Sequence, residues 1–154
     1  MPLDLDRLKL INKLPSKSEK DLASFNSGWY KIGRSEAFKE GKLLGVDSFP
    51  LRLVVWRGID KKINALNAYC PHMGADLSCG KLVQEGLICP FHGWRWDRDG
   101  NCNHIPYSDL VPERAKTKRW NSLEENEHVF IWYDSDGKEP DQRGSRLEIN
   151  TGDG

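Results

Sequence analysis

From Gly28 onward the apolar residues come in short runs, most of them alternating with polar positions, and turn-forming clusters cut each run off. Side chains of an extended chain point alternately to opposite faces, so a period of two predicts half-buried β-strands. Trp29-Tyr30-Lys31-Ile32 predicts one strand. Leu51-Arg-Leu-Val-Val-Trp56 predicts a second, ending at Arg57-Gly58, and Ile63-Asn-Ala-Leu-Asn-Ala68 a third that runs straight into Cys70. Leu82-Val83 and Leu87-Ile88 flank Gln84-Glu85-Gly86, the pattern of a tight hairpin. Trp94-Arg-Trp96 follows and turns at Asp97-Arg-Asp-Gly100, and Thr117-Lys-Arg-Trp120 with Val129–Tyr133 predicts a late hairpin pair. The one helical signal is Ser35-Glu-Ala-Phe-Lys, a serine-capped single turn ended by Gly41. The expected fold is all-β, a small antiparallel domain over residues 28–137.

The two ends read differently. In residues 1–27, Leu3, Leu5, Leu8, Ile11 and Leu14 mix spacings of two and three, so strand and helix are not separable before Pro15. The polar stretch from Ser16 to Asp21 reads as a linker or exposed turn, and the whole segment as an N-terminal arm. After Asp134 the chain is rich in Gly, Asp, Glu, Lys and Arg and has no aromatic residue, which predicts a mobile tail over residues 138–154.

A length of 154 residues fits one domain, and 38% hydrophobic residues with fifteen aromatics supply a modest core. Lys+Arg and Asp+Glu number 23 each, so no global field draws the chain to nucleic acid or an anionic membrane. The longest unbroken apolar run, Val129–Tyr133, is too short to span a bilayer. The start Met-Pro-Leu-Asp-Leu-Asp lacks the basic-then-apolar order of a signal peptide, so a cytoplasmic location is expected.

The chemistry lies in two short motifs, Cys70-Pro71-His72 and Cys89-Pro90-Phe91-His92, with sixteen residues between His72 and Cys89. Two thiols and two imidazoles make a soft, mixed donor set suited to an iron–sulfur cluster or to zinc. The pairing is the ligand pattern of a Rieske [2Fe–2S] centre, in which two histidines replace two cysteines on one iron. Zinc accepts the same four donors, but zinc fingers usually put both cysteines in one half-site and both histidines in the other. Here each half contributes one of each, so each loop can reach both metals of a two-iron core. Cys70 and Cys89 are expected on the buried iron, and His72 and His92 on the outer one. Electrons would leave at that histidine edge, beside Met73, Phe91 and Trp94. Gly74, Gly80 and Gly93 would let backbone amides approach the sulfurs, and Pro71 and Pro90 would stiffen the loops. Cys79 and Cys102 are expected to be small buried apolar residues rather than a disulfide.

The stretches Tyr69-Cys-Pro-His-Met-Gly-Ala-Asp-Leu-Ser, Ile88-Cys-Pro-Phe-His-Gly-Trp-Arg-Trp-Asp and Asp99-Gly-Asn-Cys together resemble the Rieske ferredoxin/oxygenase group. Gly28-Trp-Tyr, Ile105-Pro-Tyr and Trp120 with Val129–Trp132 extend the likeness to about residues 28–140. More narrowly, the chain resembles the N-terminal domain of Rieske non-haem iron oxygenases of the ketosteroid 9α-hydroxylase and cholesterol-desaturase type. The resemblance implies three antiparallel sheets with a cluster-binding subdomain. It also implies a Rieske-type [2Fe–2S] cluster on Cys70, His72, Cys89 and His92, a reductase as electron donor, and an oxygenase or catalytic subunit as acceptor. Ala75 and Phe91 stand where high-potential members carry an extra disulfide, and Trp94 and Trp96 where they carry hydroxyl donors. Both departures imply a potential at the low end of the family range, roughly −150 mV.

Oxygenases of this kind also have a catalytic domain whose mononuclear iron is bound by two histidines and a carboxylate. Here the four histidines leave only His104 and His128 beyond the motifs, and these are expected to be surface or strand residues. No catalytic residue is expected, and the chain should not hydroxylate a substrate by itself. The expected function is one-electron transfer to a partner oxygenase. One alternative is the Rieske half of a split or truncated terminal oxygenase, whose arm would serve assembly; the other is a zinc-stabilised binding module without a redox role.

Overall fold

Two strands with apolar side chains on both faces, β3 (Leu53–Arg57) and β4 (Ile63–Asn67), form the middle of the molecule. The computed structural model describes residues 24–72 and 74–149. In β3, Leu53 and Val55 enter one core while Val54 and Trp56 enter another; in β4, Ile63 and Ala65 face the first and Leu66 the second. A strand buried on both sides has no polar face, which is why Leu53-Val-Val-Trp56 is an uninterrupted apolar run. β2 (Leu44–Val46) and β9 (Arg119–Trp120) flank the pair, giving the order β2-β3-β4-β9.

A second sheet covers the first core. It is built from β1 (Gly28–Arg34), β10 (Ser122–Glu125), β11 (His128–Tyr133) and β12 (Arg146–Leu147) in the order β10-β11-β1-β12. Tyr30, Ile32, Val129, Ile131 and Tyr133 meet Leu53, Val55, Ile63 and Ala65 there. Phe49 stands edge-on to Trp120, Tyr30 and Tyr133 at 5.0, 5.7 and 5.9 Å, the favoured aromatic geometry. A third sheet covers the other core with β5 (Lys81–Val83), β6 (Gly86–Ile88), β7 (Arg95–Trp96) and β8 (Cys102–His104) in sequential order. Its Leu87, Trp96 and Cys102 pack on Val54, Trp56 and Leu66. The fold is therefore all-β with three small sheets, and every strand pair is antiparallel except β1 with β12.

Arg57 bolts the middle sheet to the outer one. Its guanidinium donates to Phe38 O at 2.8 Å and, two-pronged, to the Glu124 carboxylate at 2.7 and 3.1 Å. Hydrogen bonding from Arg57 holds the Glu124 carboxyl below the usual range, against the opposing effect of burial.

Three expectations are corrected. Thr117–Trp120 does not pair with Val129–Tyr133: β9 pairs with β4, and β11 takes β10 as its hairpin partner. The β10–β11 turn, Asn126-Glu127, has both φ values positive, at 51° and 67°, as two-residue hairpin turns require. Ser-Leu-Glu-Glu at a sheet edge carries a single apolar residue, so pattern reading missed it. The helical signal forms only a 3₁₀ turn, Ser35–Ala37, with no side-chain cap; Ser35 instead donates its N–H to Glu127 O at 2.8 Å.

The third concerns the tail: residues 138–149 return to the sheet, where β12 runs parallel to β1. The Trp29 indole donates to Asp141 O at 2.7 Å and the Trp132 indole to Lys138 O at 2.9 Å. Leu147 and Ile149 pack against the first core. Residues 24–27 also belong to the domain, since Phe25 packs on that core and Tyr30 donates to Asn26 O. Residues 1–23 and 150–154, which hold most of the expected arm and the end of the tail, lie outside the described residues. Among the described residues no helix is long and apolar enough to cross a membrane.

Two measurements check this architecture. Leu66→Ala should destabilise the fold by about 2–5 kcal/mol in chemical denaturation, because a fully buried side chain leaves a cavity between sheets. The Glu124 carboxyl is depressed in the folded state, so its contribution is present above the ordinary glutamate pKa and lost as pH falls through and below it. Wild type should therefore exceed Glu124→Gln in stability at neutral pH, with the gap closing on acidification.

Candidate metal centre

Both motifs sit on loops of one design. β4 leads into the first, where Cys70 N–H donates to Ala75 O at 2.8 Å and Gly74 N–H returns to Cys70 O at 2.7 Å. β6 leads into the second, where Cys89 N–H donates to Trp94 O at 2.8 Å and Gly93 N–H to Cys89 O at 3.2 Å. Gly74 and Gly93 have φ of 72° and 73°, a left-handed conformation that glycine adopts without strain. The loops differ in one respect: the histidine is the third residue of the first and the fourth of the second.

The first loop is pinned at its exit. Asp76 caps the 3₁₀ turn Leu77–Cys79, accepting from Ser78 N at 3.0 Å and Ser78 Oγ at 2.7 Å. Its other oxygen accepts from Arg52 Nε and Nη2 at 3.1 and 3.0 Å. Arg52 itself precedes β3 and also reaches Asp47 at 2.7 Å. Burial opposes ionisation of Asp76, but the bonds from Ser78 and Arg52 prevail and hold its carboxyl below the usual range.

The four candidate donors come together as two pairs. Cys70 and Cys89 are 1% and 2% exposed and neighbour each other in the second core. A hydrogen bond from Cys70 is the main cause that draws the Cys89 thiol down to about 6, with the Phe91 and His92 N–H groups adding to it against burial. Above them the His72 and His92 rings stand 5.3 Å apart, both partly exposed. Burial, then the charge of His92, lowers the pKa of His72, favouring the neutral imidazole that a metal needs. Phe91, 53% exposed, stands edge-on to His92 at 4.8 Å, and the Trp94 indole lies flat on His72 at 4.0 Å and 12°.

One observation fits a metal centre here. His72 Nδ1 is buried without a hydrogen-bond partner, and such an atom is costly unless something ligates it. Paired thiols and paired imidazoles are the donor set of a two-iron centre with two protein donors on each metal.

Other candidates stand apart. His104 is exposed in β8, and His128 opens β11 with its ring bonded to Asn126 O at 2.9 Å. Cys102 is buried as expected, but Cys79 is exposed, a correction; both remain thiols. Gly80 does not serve the sulfurs: a Cβ there would lie 2.2 Å from Ile88 O, so it lets the Leu77–Cys79 turn press against β6. Arg52, Asp76 and Tyr107, whose hydroxyl accepts from Trp94 Nε1 at 2.6 Å, were not picked out as site residues from the sequence. An Asp-x-Ser cap signal, Asp76-Leu-Ser78, was there to be found.

Comparison with known proteins agrees with this geometry. A family profile described as the Rieske [2Fe–2S] domain matches residues 28–115. The oxygenase component of a 3-ketosteroid-9-alpha-monooxygenase from Rhodococcus rhodochrous is 43% identical over 118 residues, covering 77% of this chain and 30% of the relative. Cholesterol 7-desaturase nvd 1 from Ciona intestinalis is 42% identical over 130 residues, covering 83% and 28%. The crystal structure of dicamba monooxygenase with non-heme iron and dicamba superposes with a TM-score of 0.66 at 32% identity, covering 73% and 35%. The chain thus spans about a third of the length of these relatives. It belongs to the Rieske [2Fe–2S] domain family, whose cofactor is a Rieske-type [2Fe–2S] cluster.

The Arg52–Asp76 anchor yields a prediction. Arg52→Met should lower the iron and sulfide retained per chain after desalting, while circular dichroism keeps the β-signature.

Proposed function

We propose that this member of the Rieske family relays single electrons from a reductase to the mononuclear-iron site of a partner oxygenase, with Cys70, His72, Cys89 and His92 as cluster ligands. One observation carries the reading: two buried, adjacent thiols lie beneath two partly exposed imidazoles, one with its Nδ1 unpartnered. A [2Fe–2S] cluster supplies reversible one-electron chemistry when bound.

The chain's own groups divide the remaining work. Cys70 and Cys89 would hold the inner metal away from water. The N–H groups of Phe91 and His92 point at the Cys89 sulfur and favour negative charge on it. His72 and His92, both partly exposed, would hold the outer metal where a partner can approach. Phe91 and Trp94 crowd those rings and exclude water from them. Ala75 and Phe91 rule out a disulfide across the loops at those positions, and Trp94 and Trp96 bring no hydroxyl to the sulfurs. These features support a low potential, suited to feeding an oxygenase rather than accepting from quinol.

The nature of the acceptor is supported by the relatives. Two whose names refer to steroid oxidation are 42–43% identical, against 32% for dicamba monooxygenase, so the catalytic site served is read as a steroid-oxidising one. A relative named as the oxygenase component of a monooxygenase supports an oxygenase as the destination of the electron. The thiols of Cys79 and Cys102 suit a reducing cytoplasm.

Protein purified without air should contain iron and acid-labile sulfide in equal amounts. Its dithionite-reduced form should give an EPR signal with strongly coupled nitrogen nuclei. Cys89→Ser and His92→Ala should each lose that signal. On mixing with an iron-loaded steroid oxygenase catalytic domain, the reduced protein should reoxidise faster than alone. A colourless protein carrying one zinc would overturn the reading.

A further inference from the structure

Trp94 and Tyr107 form a unit that ligand assignment leaves unexplained. The Trp94 indole covers His72 at 4.0 Å, nearly parallel, and is also stacked at 6.1 Å on the buried Trp96. Its N–H donates to the Tyr107 hydroxyl at 2.6 Å. Tyr107 is 60% exposed, an unusual setting for a large aromatic side chain with no part in the core.

The turn that presents Tyr107 is itself fixed. Ile105, 3% exposed, anchors it in the second core, and Ser108 closes it with an N–H bond to Ile105 O at 3.2 Å. The Ser108 hydroxyl adds bonds to Leu110 O and from Leu110 N. Pro106 lies against the second ligand loop, so close that a Cβ on Gly93 would meet its Cγ at 3.0 Å. The tyrosine hydroxyl is thus held by a structured turn at a set place beside the loop carrying Cys89 and His92.

We infer that Tyr107 is a positioning residue for electron transfer: by accepting the Trp94 N–H it keeps the indole flat on His72, and this aromatic cover lowers the reduction potential of the centre. The inference rests on the Rieske reading above and goes beyond it. An indole face carries partial negative charge and attracts positive charge over it. Laid on a ring that shares the outer metal's positive charge, it favours the oxidised form. It also keeps water from His72, which withholds solvation from the more negative reduced form. Both effects act in one direction, and both require the indole to stay parallel. A free Trp94 side chain could rotate about χ1 and χ2; the hydrogen bond to Tyr107 removes that freedom.

The test is a redox titration of the full chain, loaded with its cluster and followed by absorbance and EPR. Tyr107→Phe keeps the ring and removes the acceptor; Trp94→Phe keeps a stacking ring and removes the donor. Each should raise the midpoint, by about two- to fivefold in the reduction equilibrium, and alter the nitrogen couplings of the histidine ligands. The double variant should match Trp94→Phe alone, because the tyrosine acts only through the indole. An unchanged midpoint and unchanged couplings in Tyr107→Phe would refute the inference while leaving the Rieske reading intact, and so would additive shifts in the double variant. Absence of iron and sulfide from wild type would instead defeat the underlying reading and the inference with it.

Discussion

Two sulfur atoms held side by side in an apolar interior set the terms for the rest of this molecule. A pair of thiolates repel each other, and burial alone opposes ionisation of both, so the site must supply compensation. The chain does so locally, with the backbone N–H groups of Phe91 and His92 directed at Cys89. Both loops close in the same way, from each cysteine to the fifth residue beyond it, with a left-handed glycine before the closing residue.

Such loops carry little packing of their own, so they borrow rigidity. One is tied through Asp76 and Arg52 to the start of β3, and the other is continuous with β6 and β7, which press Leu87 and Trp96 onto the middle sheet. The middle sheet is in turn clamped from its far side by the β1–β11 sheet and by the Arg57–Glu124 pair. The ligand end and the scaffold end are therefore separate cores that share one wall.

Legibility from sequence followed how local each cause was. Metal ligation demands particular side chains a few residues apart, so Cys70, His72, Cys89 and His92 stood out as candidate donors without any structure. β3 and β4 were visible because burial on a pleated surface leaves an apolar record. β10 left almost none, since Ser122-Leu-Glu-Glu125 lies at an edge and contributes mainly backbone bonds and the Glu124 carboxylate. The strap over residues 138–149 was hidden for another reason: its carbonyls at Lys138 and Asp141 are bound by indoles of Trp132 and Trp29, and nothing in its own composition announces that. Tyr107 has its partner thirteen residues away, and only folding shows that the two meet.

The double-faced β3 gives the chain an odd–even grammar. Leu53 and Val55 reach the core shared with the outer sheet, and Val54 and Trp56 the core that contains Cys70 and Cys89, although the four residues are consecutive. One peptide ribbon is thereby the common wall of both halves, and a change of parity in its side chains would disturb the two at once.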